Sequence, residues 1–181
     1  MERFILKHKM KKLIQVLGGL GICFTLIIGI VGFVMSSKIT ESANYIYSYK
    51  RYSKLVHEIH NNFLTVKNSE LINLASGDTA KFKEDLQKAD EVIRANLDEY
   101  NATEYEEEEE ENYIKNITSA YEGYYNIIID LVNQYEEGQE ISPKADTEIE
   151  KYENILEENV NGVTEYLDYW ATHDIDAVNS D

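Results

Sequence analysis

The sequence contains one cysteine, Cys23, and one proline, Pro143. A lone cysteine forms no intrachain disulfide, so a folded domain here must be held by packing. Glycine is nearly as scarce after residue 36, where it occurs at 77, 123, 138 and 162 alone. So few breakers, in a background rich in Glu, Leu, Ile, Asn and Tyr, exclude a turn-rich β fold and predict long helices. Positive charge is short as well: 17 Lys and Arg face 34 Asp and Glu, for a net of −17. Such a surface repels phosphates, so nucleic acid is not expected as a partner. No Gly-rich phosphate loop, nucleophile elbow or Cys/His metal set occurs, so neither enzyme activity nor a cofactor or metal is expected.

What the chain does possess is one long apolar run. Leu13 to Met35 is 23 residues without a charge, and Gln15 is its only strongly polar side chain. As a helix it would measure roughly 34 Å, enough to cross a hydrocarbon layer of about 30 Å. The run is too long for the apolar core of a cleavable signal, and Ser36-Ser37-Lys38 is a poor cleavage site. No other stretch is apolar enough to surround it as a buried helix. It therefore reads as a transmembrane helix. Residues 1 to 37 carry five basic groups against Glu2, a net of +4, which leaves −21 for residues 38 to 181. Basic residues before a membrane helix stay in the cytoplasm, so residues 1–12 are expected inside and the acidic remainder, 36–181, outside.

Apolar residues after the membrane run recur at alternating steps of three and four, the spacing of a helical seam. The first stripe is Tyr45, Tyr49, Tyr52, Val56, Ile59, Phe63 and Val66, extended by Leu71, Ile72 and Leu74 to Ala75. Ser76-Gly77-Asp78 then supplies a helix stop and the next N-cap. The second stripe is Phe82, Leu86, Ala89, Ile93, Leu97 and Tyr100; the third is Ile114, Ile117, Tyr121, Tyr124, Ile128, Leu131 and Tyr135. Thr103-Glu104-Tyr105-Glu106 fits a capping box at the head of the third helix. Ser142-Pro143 opens a fourth, with Ile149, Tyr152, Leu156, Val160, Val163, Leu167 and Trp170 on its seam. The expected fold is all-α, an antiparallel up-down four-helix bundle whose first helix continues from the membrane helix. Its helices are expected at about 36–75, 78–101, 104–138 and 143–181.

Three features compete for chemistry. Glu106 to Glu111 are six consecutive glutamates, read as a solvated, frayed first turn rather than a weak cation site. His57-Glu58-Ile59-His60 lacks the two residues that the zinc-protease motif places between Glu and the second His, and reads as helix surface or seam edge. The 14 tyrosines all follow residue 44 and read mainly as half-wet seam residues whose hydroxyls reach water, with an aromatic pocket or dimer surface as the alternative. Arg51, Lys54 and Arg94 are the few cations near a seam that could hold a carboxylate ligand.

The run KKLIQVLGGLGICFTLIIGIVGFV (11 to 34) and the stretch EIHNNFLTVKNSELINLASGD (58 to 78) give the chain a resemblance to a known family. With its basic N-terminus and four external helices, it resembles the N-terminal part of a bacterial methyl-accepting chemotaxis protein. The resemblance covers essentially the whole chain. It implies a ligand-sensing extracytoplasmic domain in the cytoplasmic membrane, a homodimer joined largely through helix 1, and a small-molecule ligand or a binding protein as partner. In that family a second membrane helix, a linker domain and a cytoplasmic hairpin follow the sensor, so the chain is expected to be truncated before its signalling half. The other expectations are a membrane-anchored surface or scaffold protein that binds another protein, or the sensor part of a histidine kinase or cyclase.

Overall fold

The seams of the sequence are helices in a computed structural model that describes residues 2–74, 76–103, 105, 107–139 and 143–179. Helix α1 is Glu2–Ser69 and ends in a π-helical turn at Glu70–Leu74; α2 is Thr79–Asn101, α3 Glu108–Glu136 and α4 Pro143–Asn179. The described residues contain no strand. Each helix buries the stripe that its spacing marks. All six seam residues of α2 are buried, as are Val56, Ile59, Phe63 and Val66 of α1, Ile114 to Leu131 on the α3 seam, and Leu156, Val160, Val163 and Leu167 of α4. Tyr45 and Tyr135, at the outer ends of their seams, are exposed instead.

The helix ends depart from expectation in two places. From Val66 a regular seam would reach Glu70 and then Asn73, yet Leu74 takes the core position, while Leu71 and Ile72 stand 72% and 68% exposed. The wide turn at Glu70–Leu74 absorbs the extra residue. Asn73 is freed to donate to Ser69 Oγ (2.8 Å), and Ser69 donates to Asp85 on α2 (2.8 Å). Gly77 follows at φ +83°, a conformation that an L side chain resists, and Asp78 caps α2 by accepting from the Lys81 amide (3.0 Å). The second departure is the capping box. Thr103 donates to the Tyr100 carbonyl (2.6 Å), so it closes α2 and does not open α3, which starts at Glu108. Glu104, Glu106 and the expected N-cap Ser142 lie outside the described residues.

Helix α1 packs broadly on α2 and α4, and α3 on α4, whereas α2 and α3 meet sparsely. Contacts across α1 and α2 pair Arg51 with Glu99, Glu58 with Asn96, and Ser69 with Asp85. Lys67 ties α1 to α4 through Glu153 and Glu157, each 3.0 Å away. Burial opposes the Lys67 charge, but the two carboxylates outweigh it and hold the ammonium above its usual pKa.

Two glycines set how closely α3 and α4 approach. A Cβ on Gly123 would lie 2.4 Å from the Tyr152 ring, and one on Gly162 2.4 Å from the Tyr113 ring. Between these pairs Asn116 donates to the buried Asn159 (3.0 Å). Each tyrosine ring thus packs close to a glycine of the facing helix. Alanine normally gains roughly 1 kcal/mol over glycine inside a helix. Gly123→Ala is nevertheless expected to lower the unfolding midpoint, because Tyr152 must swing away. In a Tyr152→Ala background the same change should raise it, and a stabilising Gly123→Ala single variant would show that the ring yields freely.

Candidate ligand cavity

Six residues on one face of α1, at steps of three, one, three, one and three, are Glu41, Asn44, Tyr45, Ser48, Tyr49 and Tyr52. With Glu110 of α3 they line a cavity of about 300 Å³. Glu110 is only 4% exposed. It accepts a hydrogen bond from Tyr100 of α2 (2.7 Å), a side chain that is itself fully buried. The Tyr52 ring lies 5.0 Å from that of Tyr100, and the Tyr105 ring stacks on Tyr100 at 6.2 Å. Three helices therefore converge on one carboxylate.

The sequence reading missed Glu110 by treating the six glutamates as one block. Its neighbours Glu107 to Glu109 are indeed exposed, and Glu111 pairs with Lys115 (2.7 Å). Glu110, however, stands four residues before Ile114, on the core stripe. That spacing was the available signal.

Two further buried tyrosine hydroxyls reach carboxylates, as that of Tyr100 does. Tyr121 donates to Asp90 of α2 (3.0 Å), and Tyr124 donates to Glu70 in the π-helical turn (3.2 Å). Burial first, and the adjacent carboxylates second, push the pKa values of Tyr100, Tyr121 and Tyr124 well above the ordinary phenol range. All three remain protonated donors at physiological pH. Burial likewise raises Glu70, against the hydrogen bond from Tyr124, while Glu153 and Asp146 raise it further. A raised carboxylate pKa favours folding when protonated, and that contribution is lost as pH climbs through the folded-state value. Glu70→Gln fixes the neutral form. Thermal unfolding should show a gain of about 2 °C at about pH 7 that vanishes at about pH 3; a loss at neutral pH would reverse the sign of the argument.

The three cations singled out in the sequence are apart from this cavity and do not converge. Arg51 spans α1 to α2, with Nε and a terminal nitrogen 3.0 and 2.6 Å from one Glu99 oxygen. Lys54 pairs within α1, 3.5 Å from Glu58. Arg94 points to the sparse α2–α3 seam, where it binds Asp90 (2.7 Å) and lies 5.8 and 5.2 Å from the rings of Tyr121 and Tyr125. Burial opposes its charge, but Asp90 prevails and raises its pKa. Arg94 is thus a filler of a wide helix interface. His57 is exposed and His60 half-buried. Among the described residues no group of three His, Cys, Asp or Glu side chains is arranged to hold a metal ion.

A second groove, of about 400 Å³, lies between α3 and α4, with Glu107, Glu109 and Tyr113 facing Glu165, Tyr166, Tyr169 and Trp170. Tyr113 is fixed there by donating to Glu109 (3.0 Å). On the α1 side of the bundle the apolar run is exposed throughout, from Leu17 to Met35. By length and composition α1 is the one helix among the described residues able to cross a membrane. Compared with known protein families, curated proteins and solved structures, the chain matches none.

Proposed function

We propose that the protein is a membrane-anchored sensor whose acidic helical domain lies outside the cytoplasm. In this reading the domain is an antiparallel up-down four-helix bundle with α1 continuous with the membrane helix. The observation that carries it is the single helix Glu2–Ser69, which joins an exposed apolar run to a packed core and bears a ligand-sized cavity between the two. The α1–α2 pairs support the topology, since partner numbers on α2 fall as those on α1 rise. On α3 and α4 the same inverse order links Tyr113 with Gly162 and Gly123 with Tyr152. The charge difference across the apolar run supports an N-terminus in the cytoplasm.

The sensor is of the kind found in methyl-accepting chemotaxis receptors, acting as a homodimer and binding a small molecule or a binding protein. A cavity on α1 between membrane and bundle suits that role, because an occupant there would bias the helix that reaches the membrane. The test is a thermal-shift screen of the full chain in detergent against amino acids, organic acids, amines and metal salts. A ligand that raises the midpoint in proportion to the logarithm of its concentration supports a sensor. Silence across the screen, with a purified partner protein captured by the distal tip, would favour the scaffold reading instead. Exposed Leu71 and Ile72 at that tip are the observation on its side.

A further inference from the structure

We infer that the Glu110 cavity binds a small organic cation, an ammonium group carrying apolar substituents; this names the ligand class of the proposed sensor and rests on that reading. The cavity walls decide the class. Glu110 presents a carboxylate that is buried at the inner end, and Glu41, exposed, stands at the rim. Tyr45, Tyr49 and Tyr52 supply aromatic side chains, and Asn44 and Ser48 supply neutral polar groups. Among the described residues that line the space none is basic and two are carboxylates, which disfavours an anion there.

A hard metal ion is equally ill served. It asks for six or more oxygens closing around one point, and the described residues offer no such group. Aromatic faces attract instead a cation whose charge is spread over carbon substituents, because the ring quadrupole and the apolar contact act together. At about 300 Å³ the space lies at the lower end of small-molecule sites, which limits the ligand to a few carbon atoms around nitrogen. The net charge of −21 after residue 37 concentrates cations near the domain.

The experiment is calorimetric titration of the full chain in detergent with choline, with its neutral carbon isostere 3,3-dimethyl-1-butanol, and with succinate. Choline should bind at least about tenfold more tightly than the isostere. Glu110→Gln should weaken choline about tenfold or more, and Tyr45→Leu, at a half-exposed wall where folding is not at stake, should weaken it several-fold. Trp170→Leu, in the α3–α4 groove, should leave binding unchanged.

Equal binding of choline and the isostere would overturn the inference, as would loss of choline binding in Trp170→Leu with Glu110→Gln unaffected. Binding of succinate alone, lost in Arg51→Ala, would overturn the cation while leaving the sensor in place. No response to any of the three, or to the wider screen, would remove both.

Discussion

Ile128→Asp is expected to destabilise the domain by about 4 kcal/mol, through a buried unpaired charge added to the lost apolar burial. Ile128 is fully buried on the α3 seam. Asn126→Asp, two residues away on the exposed face, adds the same charge and should shift stability by no more than about 0.5 kcal/mol. Urea unfolding followed by circular dichroism reads both. Similar midpoints for the two variants would mean that the α3 seam does not face the core.

Tyr100→Phe is the second large effect, at about 2 kcal/mol. The variant keeps the ring, and with it the contacts to Tyr52 and Tyr105. It removes the donor that meets Glu110, so a charge-assisted bond is lost while the carboxylate stays buried. If that bond is the cause, the loss should shrink by half or more in a Glu110→Gln background, where the acceptor carries no charge. A loss that is equal in both backgrounds would place the effect in the phenol's own packing. The same pair of variants reports on the cavity, because Glu110 forms its inner wall.

The helices and their inward faces were legible because burial follows the three-and-four spacing wherever a helix is regular. Helix α2 is the clearest instance, with Phe82 through Tyr100 buried as spaced. The reading failed where a local hydrogen bond or an altered turn overrides that spacing. Leu74 faces the core in place of Asn73 because the π-helical turn inserts one residue into the register, and no local propensity marks such a turn. Thr103 satisfies the end of α2 instead of the start of α3, a competition that a capping motif alone cannot decide.

The site was legible only in outline. Its aromatic character followed from the tyrosines crowding Tyr45 to Tyr52, and the structure sets three of them around one cavity. Its carboxylates were not legible. Arg51, Lys54 and Arg94 are each held by a carboxylate, at Glu99, Glu58 and Asp90, and none lines the cavity. A sequence shows which cations exist but not which acidic side chains lie beside them across a helix interface. Here the distant pairs, such as Arg51 with Glu99, are made only by folding. The excess of acid over base also has a structural use that composition conceals, since Glu110, Asp90 and Glu70 each receive a tyrosine hydroxyl from another helix.

The central claim is that α1 crosses a membrane with its basic end in the cytoplasm and the acidic bundle outside. Thiol accessibility in intact cells tests it directly, using a membrane-impermeant maleimide on single-cysteine variants in a Cys23→Ser background. Asn161→Cys, on the exposed face of α4, should be labelled before lysis. Lys9→Cys, on the basic side of the apolar run, should be labelled only after lysis. Labelling of Lys9→Cys in intact cells with Asn161→Cys protected, or protection of both, would contradict the account.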